Sequence, residues 1–207
     1  VFGMYIDFDG KFPVEIVSSQ AVERFIEVVV QQLRRFYEQV SEEKWTKLSR
    51  TVVLRKTGDP ECENGLYKHG LHIHFPNMMV KGEQARQIRL GIINGLIVRT
   101  WHAEFGIDRP NWDTVVDHAV YSNGIRMIGA PKALKCKTCN ADVNIRSCNE
   151  CFKQNFGHHI IPRVYTLFMA FENGRSSEEY MDFLMGKGPE QETEDCGSII
   201  VGDGRVG

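Results

Sequence analysis

The first residues that could do chemistry are Asp7 and Asp9, which lie two positions apart in a segment of alternating polarity. Because successive side chains of a strand point to opposite faces, both carboxylates would leave one face, roughly 7 Å apart at Cα. Asp117 follows two valines and would supply a third carboxylate from a separate strand. Clustered carboxylates of this kind hold the two divalent metal ions of phosphoryl-transfer enzymes. The Asp9-Gly10 pair is also typical of a hairpin turn, so a simple turn remains an alternative.

Basic side chains and imidazoles are spaced to meet an anion. Lys68 precedes His72 and His74, which share one face of a predicted strand, and Arg126 and Lys132 follow later in the chain. Acidic residues for metal ions together with basic residues for phosphates are the set that nucleotidyl transfer needs. Histidines on an amphipathic strand are also often plain surface residues, and that interpretation stays open for both imidazoles.

Four of the six cysteines form two CxxC pairs with eight residues between them: Cys136, Cys139, Cys148 and Cys151. Two such pairs can direct four thiolates at one tetrahedral zinc ion, and four thiolates leave no open position for a substrate. We therefore expect a structural zinc site. Two disulfides are the alternative, but the chain shows no secretory signal, and zinc in a reducing, intracellular compartment is favoured.

Three blocks of sequence occur in the order of the motifs hDhD, SxH and hD of the archaeo-eukaryotic primase superfamily. They are Tyr5–Asp9, Lys68–Ile73 and Val115–Tyr121. With its continuation to Lys132, the third block most resembles the primase domain of primase–helicases from large cytoplasmic DNA viruses, of the poxvirus and asfarvirus kind. It is also similar to eukaryotic primase-polymerase. The resemblance implies an α/β (α+β) fold with an RRM-like half and a site in a cleft between two sheets.

The resemblance also implies roles for single residues. The positions that match the family's ligands for catalytic Mg²⁺ or Mn²⁺ are Asp7, Asp9 and Asp117. The positions that match its nucleotide-binding residues are Lys68, His72, Arg126 and Lys132. Gly70 stands where the family has serine, which removes a hydroxyl contact, and His74 has no fixed counterpart. The zinc module would lie near the template or the initiating nucleotide.

The function implied is that of a DNA primase, which synthesises primers on a single-stranded DNA template from nucleoside triphosphates during viral replication. A helicase domain would follow in the full-length chain, and the host cytoplasm would be the place of action. Two other classes stay open. A two-metal nuclease would also use clustered acids but leaves Arg126 and Lys132 unexplained. In a non-catalytic, zinc-dependent nucleic-acid-binding module, the carboxylates would be solvated turn residues.

The elements that must position these residues follow from periodicity and capping. Alternation and β-branched runs predict strands over 2–9, 51–55, 71–75, 125–128 and 164–169, and a short apolar run over 114–116. Apolar stripes predict helices over 18–40 and 83–101, and a capping box at Ser176 predicts a last helix that Gly186 ends. Strands and helices mixed in this order indicate an α/β or α+β fold.

Composition sets the outer limits. The 207 residues are 42% hydrophobic and 25% charged, as in a globular protein, and we expect them to be part of a longer chain. No apolar run is long enough to predict a membrane span. The net charge is −2, with an acidic segment over 172–195 and a mildly basic body before it. We expect a catalytic domain over 1–171, with the zinc-binding insertion at about 135–152, and a C-terminal helix with an acidic, glycine-rich tail over 172–207.

Overall fold

A computed structural model describes residues 1–125 and 164–187, with only the backbone of Asn123. In this part of the chain the strands are β1 (Phe2–Phe12), β2 (Thr51–Lys56), β3 (Glu61–Glu63), β4 (Leu66–Val80), β5 (Val116–Asp117), β6 (Tyr165–Glu172) and β7 (Arg175–Ser176). The helices are α1 (Ser19–Phe36), α2 (Glu42–Leu48), α3 (Gly82–Ile97), α4 (His102–Phe105), α5 (Trp112–Val115), α6 (Val120–Asn123) and α7 (Glu178–Leu184). The mixed α/β class predicted from the sequence is confirmed.

The described strands form one antiparallel sheet in the order β5-β1-β4-β2-β6-β7, with β3 paired to the start of β4. The second sheet that the family resemblance implies is not among these residues. β1 and β4 are the longest strands and lie beside each other over their whole length. The sheet therefore brings the first two sequence motifs together.

One face of the sheet is covered by α1 and α3. The predicted alternation of β1 is confirmed: Met4, Ile6 and Phe8 are buried at 1% exposure or less. The ring of Phe8 meets that of Phe25 from α1 edge-to-face, with centroids 5.2 Å apart. Burying these apolar side chains on one face leaves the polar residues of β1 on the other.

Both long helices end earlier than their periodicity predicts. α1 ends at Phe36 instead of about residue 40, because the Arg34 guanidinium bonds the carbonyl oxygens of Tyr37 and Val40 at 2.7 and 2.9 Å and turns the chain. α3 ends at Ile97 instead of residue 101. None of the described helices is both long and apolar enough to cross a membrane.

Several shorter expectations need correction. Asp9-Gly10 is not a turn, because β1 continues to Phe12 and Gly10 pairs with His69. Ile125 lies outside any strand, and the rest of the predicted 125–128 strand falls outside the described residues. The last helix is capped by Ser177, whose hydroxyl accepts from the Tyr180 amide at 3.2 Å, one residue later than predicted. The prediction did not include α2, β3 or α4.

Candidate active site

The register of three strands gathers the predicted site residues on one face. Asp7 lies directly opposite His72 of β4 on one side and opposite Asp117 of β5 on the other. Directly paired residues of antiparallel strands point to the same face, about 4.5–5.5 Å apart at Cα. Asp9, two residues after Asp7, lies on this face as well. We call this surface, opposite the helices, the site face.

Each of the three carboxylates has its own partner. The Asp9 carboxylate lies 3.0 Å from the Lys68 ammonium, and the Asp7 carboxylate lies 3.7 Å from Nε2 of His72. The Asp117 carboxylate accepts a hydrogen bond of 2.8 Å from the backbone amide of Ala119. The Asp9 side chain is more exposed to solvent than that of Asp7, at 42% against 19%.

The chemistry of this set suits a hard divalent cation, because carboxylate oxygens are the ligands that Mg²⁺ prefers. Asp7, Asp9 and Asp117 share the site face and come from two adjacent strands. Within residues 1–125 and 164–187, no three carboxylate, imidazole or thiolate side chains converge on one point. The partners of the three carboxylates account for this, since each side chain is directed to a different group. A metal ion would bind the Asp7 carboxylate oxygen that does not face His72, and it would draw the Asp9 carboxylate away from Lys68.

His72 lies beneath an aromatic ring from a distant strand. The Tyr165 ring of β6 stacks on its imidazole, with centroids 3.5 Å apart and planes at 18°, and His72 is only 1% exposed. The Tyr165 hydroxyl oxygen reaches Gly70, where an added Cβ would lie 2.9 Å from it. Sequence reasoning missed this residue. The only clue was the predicted strand over 164–169, and nothing in its pattern linked it to the second motif.

A row of rings continues from His72 across the site face. His74 lies 6.3 Å from His72 and 6.1 Å from Tyr5, and Tyr5 lies 5.7 Å from Tyr121, measured between ring centroids. Burial lowers the pKa of His74 and raises the pKa of Tyr121, so both are neutral at pH 7. Nε2 of His74 and the Tyr121 hydroxyl are buried, with no hydrogen-bond partner among the described residues. These two polar groups are therefore shielded from solvent, although the carboxylates beside them are partly exposed.

Arg89 of α3 fixes the strand that carries Asp117. Its guanidinium donates to the carbonyl oxygen of Val116 at 2.6 Å and to that of Asp113 at 2.8 Å, and its side chain is 7% exposed. A buried cation that bonds the residue next to a site carboxylate sets the position of that carboxylate. The sequence analysis missed this role, because Arg89 breaks the apolar pattern of α3 and resembles a surface residue.

Lysine side chains lie at the end of the site face where β3 pairs with the start of β4. Two glutamates of β3 form ion pairs with them. Lys11 bonds Glu63 at 2.6 Å, and the ammonium of Lys56 lies 3.9 Å from Glu61. Lys56 pairs with Tyr165 in register and therefore shares its face. Together with Lys68, these two lysines form a cluster at this end of the sheet, and an anion could bind there by replacing their carboxylate partners.

Several predicted site residues fall outside the described part of the chain: Arg126, Lys132, Cys136, Cys139, Cys148 and Cys151. Their roles in phosphate and zinc binding stay predictions. Cys62, in the described part, is an exposed free thiol.

Comparison with protein families shows which family the chain matches. Residues 1–142 match the family model described as the C962R protein N-terminal AEP domain, where AEP denotes archaeo-eukaryotic primase. No curated protein and no solved structure matches the chain. The matched segment is more than half of the chain and contains all three carboxylates, Lys68 and His72. It ends before Tyr165.

Proposed function

This chain belongs to the archaeo-eukaryotic primase domain family of C962R, and from that membership we propose that it is a DNA primase. It would synthesise primers on single-stranded DNA from nucleoside triphosphates during viral DNA replication. The observation that carries the proposal is the cross-strand row Asp117–Asp7–His72, with Asp9 beside it. This row and Asp9 bring three carboxylates to a single face, with the Lys68 ammonium 3.0 Å from Asp9, and this arrangement supports nucleotidyl transfer.

Asp7, Asp9 and Asp117 would hold the catalytic Mg²⁺ or Mn²⁺ ions. When bound, these ions lower the pKa of the primer 3′-hydroxyl and neutralise the charge of the leaving pyrophosphate. The site face supplies cations for the triphosphate: Lys68, with Arg126 and Lys132 as further proposed contacts. A release of Lys68 from Asp9 would free its ammonium to bind a phosphate.

The geometry supports a role for His72 beside the one that the family resemblance implies. Its imidazole is buried at 1% exposure, and its Nε2 lies 3.7 Å from the Asp7 carboxylate. In this arrangement His72 orients a carboxylate at the metal site. Contact between His72 and the triphosphate would require Tyr165 to move aside.

The assay of this function is primer synthesis on a single-stranded template with Mn²⁺ and labelled nucleotides. Asp7→Asn/Asp9→Asn removes two metal ligands with little change in side-chain volume, and we expect it to abolish the labelled products. Glu38→Gln/Asp108→Asn is the matched control, since it removes the same charge from exposed carboxylates in the segments that follow α1 and α4. We expect this control to retain the wild-type rate.

Three other results would reject the proposal. Degradation of the template without added nucleotide would identify a two-metal nuclease. DNA binding that survives Asp7→Asn/Asp9→Asn, with no turnover by the wild type, would identify a non-catalytic nucleic-acid-binding module. Equal rates in the site variant and its control would show that these carboxylates hold no catalytic metal.

We also propose a structural zinc ion at the two CxxC pairs: Cys136, Cys139, Cys148 and Cys151. Metal analysis should find one zinc ion per chain, and Cys136→Ser/Cys139→Ser should lose it. Zinc-free protein in which these four cysteines fail to react with a thiol reagent, while the exposed Cys62 does react, would establish disulfides instead. A helicase domain in the full-length chain and action in the host cytoplasm complete the proposal.

A further inference from the structure

We infer that Tyr165 is a positioning residue of the nucleotidyl-transfer site, acting through His72 on the metal ligand Asp7. The inference rests on the proposed function and extends it beyond the segment that matches the family. Tyr165 lies in β6, which is separated from β4 by β2, and no motif of the sequence includes it. Its evidence is geometric and has three parts.

The first part is the stack on the imidazole. At a centroid distance of 3.5 Å and an angle of 18°, the Tyr165 ring covers one side of the His72 ring. The stack hinders rotation of the imidazole about its Cβ–Cγ bond, because that rotation would tilt the ring into the tyrosine. The plane of the stacked imidazole directs Nε2 toward the Asp7 carboxylate, 3.7 Å away.

The second part is the space that Gly70 leaves. A Cβ on residue 70 would lie 2.9 Å from the Tyr165 hydroxyl oxygen, closer than real Cβ contacts allow, but 3.8 Å from the ring carbon that carries the hydroxyl. Glycine at this position therefore lets the tyrosine lie flat on His72. The hydroxyl fills the place that a side chain on residue 70 would take.

The third part is the burial of the pair. Tyr165 is 4% exposed and His72 is 1% exposed, so water does not separate the two rings. Displacement of the tyrosine would open His72 to water and free its ring to rotate. The orientation of Asp7 would then be lost with it, and misplacement of a reacting group by about 1 Å can cost up to about a hundredfold in rate.

The test compares single and double variants of the full chain in the primer-synthesis assay. Tyr165→Leu, which keeps an apolar side chain but loses the stack, should lower kcat about tenfold or more. Tyr165→Phe keeps the ring and should restore most of that rate. Tyr180→Leu is the matched control, because Tyr180 is a tyrosine of similar burial, at 6% exposure, whose ring meets Phe183 and the Arg50 guanidinium. It should keep the wild-type rate.

Dependence on His72 is tested by a double-variant cycle. If Tyr165 acts through His72, then His72→Ala/Tyr165→Leu should be no slower than His72→Ala alone. If the fold-loss of kcat in the double variant equals the product of the losses in the two single variants, the residues act independently and the inference is overturned. Gly70→Ala should lower kcat when Tyr165 is present, because the added Cβ pushes the hydroxyl away. The same substitution should lower kcat much less in the Tyr165→Phe background, since phenylalanine has no oxygen at this place.

An NMR measurement reads the stack without catalysis. The Tyr165 ring current should shift the carbon-bound protons of His72 upfield, and Tyr165→Leu should remove that shift while Tyr180→Leu leaves it. An unshifted His72 in the wild type, or equal kcat in Tyr165→Leu and wild type, overturns the inference but leaves the primase proposal standing. A wild type with no primer synthesis instead rejects the proposed function, and the assignment of Tyr165 with it.

Discussion

Replacement of Arg89 by methionine tests how the strand of Asp117 is held. The methionine side chain would fill much of the same volume but donate no hydrogen bonds to the carbonyl oxygens of Val116 and Asp113, which Arg89 bonds at 2.6 and 2.8 Å. Val116 is fully buried, so its carbonyl group would lose its partner without gaining water. We expect Arg89→Met to reduce the free energy of unfolding substantially and to loosen Asp117.

The magnitude follows from these two bonds. A hydrogen bond from a charged donor contributes about 1.5–3 kcal/mol, so the two bonds contribute about 3–6 kcal/mol, part of which is offset because methionine has no charge to bury. The ion pair with the Asp113 carboxylate adds little: that side chain is 75% exposed, and exposed pairs contribute under about 1 kcal/mol. We therefore expect a loss of about 3–5 kcal/mol for Arg89→Met and under about 1 kcal/mol for Asp113→Asn.

Urea denaturation with linear extrapolation measures both losses. Arg86→Met is the matched control, because Arg86 lies on the same helix but is exposed and bonds only the Ser122 hydroxyl, at 3.1 Å, among the described residues. It should change stability by less than about 0.5 kcal/mol. The reasoning is refuted if Arg89→Met loses under about 1 kcal/mol, or if Asp113→Asn loses as much as Arg89→Met.

Two further predictions concern pH and helix packing. Burial lowers the pKa of His69, so the unfolded chain binds more protons, and stability should fall as pH drops below the ordinary histidine value of about 6.5. His69→Gln should flatten this pH dependence in urea melts; an unchanged slope would contradict the assignment. At the contact of α1 with α3, a Cβ on Gly95 would lie 2.5 Å from Cγ of the buried Gln32, so Gly95→Ala should destabilise by about 1–3 kcal/mol. Gly91→Ala meets only the ring of the partly exposed Phe36 and should cost less, because that ring can move; equal losses would refute the packing argument.

The sequence predicted the centre of the fold well because β1 and β4 each have one apolar face. Met4, Ile6 and Phe8 alternate with polar residues, and Leu71 and Ile73 do the same in β4. This alternation placed the carboxylates and the two histidines on the polar faces of their strands. The pairing of β1 with β4 could not be derived from alternation, and only the family resemblance suggested that the two motifs meet.

The sequence could not predict helix ends or side-chain partners, because these depend on contacts made across the fold. The end of α3 is closed by the Trp101 indole, which donates to the carbonyl oxygen of Leu96 at 2.9 Å after the chain has already turned. The partner of Asp9 is Lys68, which lies far along the sequence. Arg89 seemed out of place on α3 because the carbonyl groups that it bonds lie on β5 and α5.

An irregularity in β6 explains why Tyr165 was missed. In a regular strand, Tyr165 and Met169 are an even number of residues apart and share a face. In the structure, Val53 pairs with Met169 but Leu54 pairs with Leu167, so Phe168 is an extra residue in β6. This β-bulge reverses the alternation, and Tyr165 pairs with Lys56 on the site face while Met169 lies opposite the core residue Val53.

The bulge therefore determines which face of the sheet receives the tyrosine. Without the extra residue, Lys56 would pair with Thr166, and Tyr165 would point toward the helices, away from His72. Phe168 itself has a contact that holds it in place, since the Arg55 guanidinium lies 3.5 Å from its ring centroid. This cation–π contact lies on the helix side of the sheet and stabilises the bulged residue, while Tyr165 covers His72 on the other side. Through Tyr165 and His72, we infer, the position of Asp7 also depends on residues of β2 and β6 that have no recorded contact with a carboxylate of the site.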